Sequence, residues 1–319
     1  MRILFYKAGA TDAAQWLDGL ASRLPGSQVR AWTPGDDAPA DYALLWKPPA
    51  ALLRPERGLK AIFSLGAGVD ALLDLLRTHP GLVPDTLPLV KLDDAGMGRQ
   101  MAHYACAAVL RQFRRFDDYA RAQASRQWQA LPADDPANHA VAVLGLGALG
   151  SQVATALAGL GFPVRGWRRR LPDKPDPRDD RIASFAGSDG FDACLSGANA
   201  LVNLLPLTAG TENILNRAAF GKLARGAHVI NLARGAHLVD DDLIAALASG
   251  QVGHATLDVF RQEPLPPGHP FWGHPGITIT PHVSALTLRD PSLDQIAGRI
   301  LAFEAGGPLQ GMVDRSRGY

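Results

Sequence analysis

Two cysteines in 319 residues, Cys106 and Cys194, stand apart and without CxxC spacing, so neither a disulfide framework nor a thiolate metal site holds this chain together. Charge of one sign is also missing. Lys and Arg number 32 against 31 Asp and Glu, a net charge of +1, and no global field draws the chain to nucleic acid or an anionic membrane. No uncharged apolar run reaches the ~20 residues that cross a bilayer. The opening residues MRILFYKAGA contain no signal-peptide h-region and no small-residue cleavage site. These absences leave a cytoplasmic protein of a reducing compartment, acting on small molecules, as the expectation. No internal repeat is visible, and the Pro- and Asp-rich stretch at 171–180 reads as a loop, not a disordered linker.

What the chain has in quantity is short apolar runs set between helical patterns. Its length exceeds what one core usually serves, which predicts two domains. Residues 3–6, 42–46 and 59–65 are apolar runs, and Trp16, Leu17, Leu20 and Leu24 recur at helical spacing between the first two. Continuous apolar strands alternating with amphipathic helices predict a parallel sheet covered on both faces. From 99 to 131 there is no Gly or Pro, and Met101, Tyr104, Ala105, Ala108, Val109, Phe113 and Phe116 predict one long helix. A second series of strands follows at 139–144, 164–167, 200–205, 228–231, 254–258 and 277–280. Near the end, Asp290 is placed to cap and Pro291 to open a helix through Leu293, Ile296, Ile300 and Phe303 that stops at Gly306-Gly307 and returns to the first domain.

One segment joins the second series to a ligand. Gly145, Leu146, Gly147, Ala148, Leu149 and Gly150 follow an apolar strand and open a helix whose Leu149, Val153, Leu157 and Leu160 share a face. In this context GxGxxG is a dinucleotide fingerprint: a tight turn, close approach of a pyrophosphate, and close helix packing. A glycine-rich turn without a ligand is the plainer reading, and the agreement of strand, spacing and helix argues against it. An NAD site presents Asp or Glu about twenty residues further on to bond the ribose 2′-hydroxyl. Here that strand ends in Gly166-Trp167-Arg168-Arg169-Arg170, and the first carboxylate after Gly150 is Asp173. Guanidiniums at this place suit a 2′-phosphate, with Arg168 and Arg169 as contacts and Trp167 or an arginine plane along the adenine. NADP(H) is thus expected in preference to NAD(H).

Three later segments place polar groups where strands of the second sheet end: Asn231-Leu232-Ala233-Arg234-Gly235, residues 258–266 with Asp258 and Glu263, and Thr280-Pro281-His282-Val283-Ser284. In open α/β sheets the ligand crevice lies outside these carboxyl ends. Singly, Arg234 reads as a turn residue, Glu263 as a loop carboxylate and His282 as one of nine histidines. Together, and with residues 65–70 (LGAGVD), 114–119 (RRFDDY) and 313–315 (VDR), they resemble the D-isomer-specific 2-hydroxyacid dehydrogenase family, in particular its glyoxylate/hydroxypyruvate reductase branch, over nearly the whole chain.

The resemblance implies two α/β domains of Rossmann-like and flavodoxin-like type with parallel doubly wound sheets. A nucleotide-binding domain at 99–285 would be inserted into a discontinuous substrate domain at 1–98 and 286–319, with the site in the cleft between them. It implies that Arg234 binds the substrate carboxylate and polarises the ketone, that His282 exchanges the proton, and that Glu263 holds the His282 ring. The chemistry calls for these types. Hydride delivered to a carbonyl carbon builds negative charge on its oxygen, which must meet a cation and a proton donor, and a neighbouring carboxylate favours the charged imidazole.

The resemblance also assigns Leu205, Pro206, Leu232, Ala233, Asp258 and Ser284 to the cofactor, Asp258 as acceptor for the nicotinamide carboxamide. It implies an anion nest at Ala67 and Gly68 for the substrate, with Trp46 as a pocket wall; packing is the rival reading for Trp46. A homodimer formed through the long helix and its Trp128-containing extension is expected by the same analogy, with no metal. One departure is His103, where many relatives have Glu before the tyrosine. Some relatives act as corepressors that bind partner proteins, so a non-catalytic dinucleotide sensor is the alternative, opposed by the full Arg234, Glu263 and His282 set.

Overall fold

The structure, a computed structural model, describes residues 1–171 and 181–319; Asp173 and nearly all of the expected loop at 171–180 lie outside them. The chain divides into two compact units, Met1–Gly96 with Thr287–Tyr319, and Met97–Leu286. These divisions fall within two residues of the ones expected at 98/99 and 285/286.

The first unit contains β1 (Arg2–Lys7), α1 (Ala13–Arg23), β2 (Gln28–Ala31), β3 (Tyr42–Trp46), β4 (Ala61–Ser64), α2 (Asp70–Thr78) and β5 (Leu89–Val90). Its sheet has the order β2-β1-β3-β4-β5 with every pair parallel, the flavodoxin-like winding. β3 and β4 are buried along their length, apart from the half-buried Trp46, as strands covered on both faces require. β2 and β5 are edge strands that no apolar run announced.

In the second unit α3 (Met97–Phe113) and α4 (Phe116–Ala124) precede β6 (Val141–Leu144), α5 (Ala148–Gly159), β7 (Val164–Arg168), β8 (Ile182–Ala186), α6 (Gly187–Leu195), β9 (Ala200–Asn203), α7 (Arg217–Phe220), β10 (Ala227–Asn231), α8 (Asp240–Ala248), β11 (Val252–Leu257) and β12 (Ile277–Ile279). The sheet is parallel throughout, in the order β12-β11-β10-β9-β6-β7-β8. The winding reverses between β6 and β9, the switch point where such sheets open a crevice. Alternate residues feed two cores. Leu144, Leu201, Val229 and Leu257 lie on one side; Val143, Val202 and Ile230 lie on the other, against Ala105 and Val109 of α3 and Val153 and Leu157 of α5.

The single long helix expected over 99–131 is corrected to two. Arg115 takes the left-handed conformation (φ 57°), and the first helix closes as Arg114 N–H donates to Leu110 O at 2.8 Å. The second opens with Asp117 and Asp118 in its first turn, where the helix dipole favours them. Arg111 holds Asp117 at 2.6 Å and Arg115 holds Asp118 at 2.6 Å, so ion pairs fix a bend that no Gly or Pro marks.

The last helix, α9 (Arg289–Glu304), lies in the first unit, against α1. It begins earlier than expected, with Leu288 at its cap and Asp290 already in the first turn making no cap bond. The Ser292 hydroxyl donates back to Leu288 O at 2.6 Å. Among the described residues no helix is long and apolar enough to cross a membrane.

Candidate active site

The glycine turn after β6 is built as a cradle. Gly145 has φ +98°, and a Cβ there would sit 2.8 Å from Leu204 O at the end of β9, so the turn and the neighbouring loop approach as closely as backbone allows. A Cβ on Gly150 would strike Gly145 O. A Cβ on Gly147 would meet nothing within 4 Å. Gly147 and Ala148 are exposed, and α5 starts there without a side-chain cap, leaving its first N–H groups and the positive end of its dipole facing that open space. These residues fit a dinucleotide pyrophosphate. Leu146 contributes backbone only, since its side chain lies under Gly166 in the core.

The next strand end is tied to this turn. Gly145 N–H donates to Trp167 O at 2.8 Å, which sets Arg168 and Arg169 beside the cradle, Arg168 half-buried and Arg169 exposed. The Trp167 ring differs from expectation. It is 9% exposed, donates its indole N–H to Gly187 O at 2.8 Å and meets Phe191 edge-on at 5.3 Å. This side chain fills the core on the far side of the strand and presents no open platform for adenine.

At the ends of β10, β11 and β12 the three polar segments come together. His282 Nδ1 lies 2.9 Å from Glu263 Oε2, and Glu263 Oε1 accepts from Phe260 N–H at 3.0 Å, so the carboxylate is anchored by one oxygen and holds the ring by the other. The pair is reachable, with His282 41% and Glu263 31% exposed. His282 itself sits at φ +57°, a conformation that a non-glycine residue holds only when its surroundings impose it. Arg234, half-buried, begins the short turn at Gly235–His237 and donates from Nη1 to Ala233 O at 2.7 Å. Gly235 packs directly on the Phe260 backbone, where a Cβ would clash. The arginine turn and the glutamate loop are therefore one assembly.

The family profile described as D-isomer specific 2-hydroxyacid dehydrogenase, NAD binding domain, matches residues 106–284. The chain belongs to this family. It is 51% identical to glyoxylate/hydroxypyruvate reductase A of Serratia proteamaculans over 320 residues, covering all of both chains. Among solved structures, a D-isomer specific 2-hydroxyacid dehydrogenase from Xanthobacter autotrophicus in complex with NADPH and MES is 37% identical with a TM-score of 0.90, over 100% of this chain and 99% of that one. An NADPH-dependent glyoxylate/hydroxypyruvate reductase from Sinorhizobium meliloti in complex with NADP and sulfate is 34% identical with a TM-score of 0.89, at the same coverage.

Other residues of this dehydrogenase fall as follows. Leu232, Ala233 and Leu205 are buried and Pro206 half-buried at the ends of β10 and β9. In the first unit, the Trp46 ring lies over Gly66, and the turn it covers leaves Ala67 and Gly68 half-buried; Ser64 Oγ donates to Gly68 O at 3.4 Å. Ser284 is buried, and its N–H donates to Asp258 Oδ2 at 2.9 Å. Asp258 is wholly buried.

Two supports escaped the sequence reading. His237 is buried, with Nδ1 2.9 Å from Asn203 Nδ2 and Nε2 3.3 Å from Pro206 O. Asn203 also donates to Asn231 Oδ1 at 2.9 Å, and Asn231 donates to Arg234 O at 3.0 Å, so a buried network joins the Pro206 loop to the arginine turn. Arg261 clamps the same region, bonding Leu238 O from Nη2 at 2.8 Å and Ala236 O at 3.1 Å. An asparagine ending each of two apolar strands was the available signal for the first; nothing distinguished Arg261 in sequence.

Proposed function

We propose that this protein reduces small 2-oxo acids, glyoxylate and hydroxypyruvate, to D-2-hydroxy acids with NADPH. The observation that carries the reading is the Glu263–His282 pair at 2.9 Å, exposed at strand ends in the unit that also holds the pyrophosphate cradle and Arg234. The cofactor assignment is supported by the arginines after β7 and by relatives whose structures hold NADPH or NADP.

Bound NADPH supplies a hydride to the carbonyl carbon. The chain supplies the rest. Arg234 offers a planar fork that binds the substrate carboxylate and faces the ketone oxygen, where negative charge grows. His282, with Nδ1 held by Glu263, delivers a proton from Nε2 to that oxygen, and Glu263 keeps the ring oriented. Gly145, Leu146, Gly147, Ala148, Leu149 and Gly150 hold the pyrophosphate. Leu205, Pro206, Leu232 and Ala233 line the cofactor, and Ala67 and Gly68 form an anion nest in the first unit. Exposed Phe116, Tyr119 and Trp128 support a homodimer as the working assembly.

Initial rates with glyoxylate, hydroxypyruvate and pyruvate at saturating NADPH test the reading. Turnover of the first two is expected, whereas a non-catalytic, partner-binding protein would turn over none and would overturn it. The same assay tests Arg234. Arg234→Lys keeps the charge but loses the fork, so kcat/KM should fall by about tenfold or more with KM rising, since a charge-assisted bond contributes roughly 1.5–3 kcal/mol. Unchanged kinetics would make the arginine structural.

A further inference from the structure

Asn203 and Asn231 end the neighbouring strands β9 and β10 of the second unit and are paired in register; both are fully buried, as is His237 beside them. Backbone groups fix which way each side chain faces. Leu205 N–H donates to Asn203 Oδ1 at 3.3 Å, so Asn203 turns its NH2 group to Asn231 Oδ1 at 2.9 Å and to His237 Nδ1 at 2.9 Å. Ala233 N–H donates to Asn231 Oδ1 at 3.3 Å, and the Asn231 NH2 group donates to Arg234 O at 3.0 Å. At the far end the ring faces Pro206 O, 3.3 Å from Nε2, and a carbonyl can only accept. The imidazole is therefore assigned, from both of its neighbours, as the tautomer with a proton on Nε2 and a lone pair on Nδ1. His237 also gives its own backbone N–H to Arg234 O at 3.2 Å, so the network grips that carbonyl twice. The bonds from Pro206 to Arg234 run in one arrangement only. Reversing any group would set two donors or two acceptors face to face where no water compensates them.

We propose that His237 is a positioning residue for Arg234, acting with Asn203 and Asn231 as a rigid link between the Pro206 loop and the arginine turn. The proposal rests on Arg234 binding the substrate. His237 has no exposed surface, so it acts on the reaction only through what it holds. Arg234 has an extended backbone and leads at once into the short turn Gly235–His237. The direction of its side chain is thus set by the peptide whose carbonyl the network grips, and a misplacement of about 1 Å at a site of reaction costs on the order of 10²-fold in rate. A flat ring without nitrogens at 237 would leave an Asn203 N–H and Pro206 O facing carbon, which the turn and the loop relieve only by shifting.

The test measures kcat and KM for glyoxylate at saturating NADPH, the Kd of NADPH by fluorescence titration without substrate, and Tm. The variants are His237→Phe, His237→Gln, Arg234→Ala and the double variant His237→Phe/Arg234→Ala. His237→Phe is expected to lower kcat/KM for glyoxylate by roughly tenfold with KM rising. His237→Gln, which keeps one acceptor oxygen and one NH2 donor, should recover kcat/KM to within about threefold of wild type. In the Arg234→Ala background His237→Phe should have little further effect on kcat/KM, because a residue that acts through Arg234 has nothing left to position. A lower Tm in His237→Phe with wild-type kinetics would overturn the inference and make the histidine a support of the fold alone. A loss confined to the Kd of NADPH would overturn it too, leaving His237 to serve the Pro206 loop. Fully multiplicative losses in the double variant would do the same while keeping Arg234 as the substrate residue. If Arg234→Ala alone kept wild-type kinetics, the functional reading beneath the inference would fail instead. Should His237→Phe not fold, the comparison of Asn231→Ala with Asn231→Ala/Arg234→Ala decides by the same criterion.

Discussion

Replacing His282 with alanine is expected to lower kcat for glyoxylate by roughly 10²-fold or more, the usual scale for general acid catalysis, while NADPH still binds. The size follows from what the ring alone supplies. Reduction places negative charge on the former ketone oxygen, and Arg234 can stabilise that charge but cannot release a proton to it. His282 is the ionisable side chain at this strand end that is both exposed and held: Glu263 Oε2 is 2.9 Å from Nδ1, and the other oxygen of Glu263 is fixed by Phe260 N–H at 3.0 Å. The ring nitrogen not engaged by Glu263 is the one left for substrate. Cofactor affinity should survive because the pyrophosphate cradle is made by the start of α5, outside the 280–284 turn. The measurement is kcat at saturating glyoxylate beside an NADPH titration. Wild-type kcat in the variant would remove His282 from the chemistry, and a collapse of NADPH binding would show that the substitution acts on the fold.

The sequence made the fold legible wherever a strand is buried on both faces. β3, β4 and β6 are continuous apolar runs because helices cover them from two sides, and their patterns survive without any knowledge of partners. β2, β5 and β8 were missed for the converse reason. Each is an edge strand; β2 has no buried residue and β5 has two residues in all, so little burial is written into them. The bend at Arg115 was hidden because it depends on ion pairs to Asp117 and Asp118 and not on a residue type that breaks helices. The candidate site divides along the same line. The glycine turn, Arg234, Glu263 and His282 sit in short local segments, each at a strand end, and local order exposes them. What joins those segments was not readable: the Ser284 bond to Asp258, the His237 bridge from Pro206 to Asn203, and the clamp of Arg261 are contacts between segments far apart in sequence. Trp167 shows the limit most directly. It stands at the diagnostic distance from the fingerprint, yet a strand alternates its side chains between faces, and the pairing of β7 with β6 and β8 turns this one toward Phe191 while Arg168 faces the opposite way.

That alternation sharpens the expectation for cofactor choice. Removing Arg168 and Arg169 together should reduce the preference for NADPH over NADH, measured as the ratio of kcat/KM values, by one to two decades for each arginine that bonds the 2′-phosphate, since charge-assisted hydrogen bonds contribute roughly 1.5–3 kcal/mol each. With Trp167 committed to the core, recognition at this strand end falls to the guanidiniums. Gly145 N–H bonded to Trp167 O fixes where they start, beside the helix terminus that takes the pyrophosphate. An adenosine ribose bound there would extend from the cradle toward the end of β7, where an NAD site would present a carboxylate and this chain presents Arg168 and Arg169. The loss should appear as a rise in KM for NADPH, with kcat at saturating NADPH and glyoxylate little changed, because neither arginine belongs to the turns that hold Arg234, Glu263 and His282. Kinetics for NADH should move little, since a 2′-hydroxyl offers no charge for the guanidiniums to meet. Equal or better use of NADH by the wild type would refute this account of the strand end, and so would an Arg168→Ala/Arg169→Ala variant that kept its full preference for NADPH.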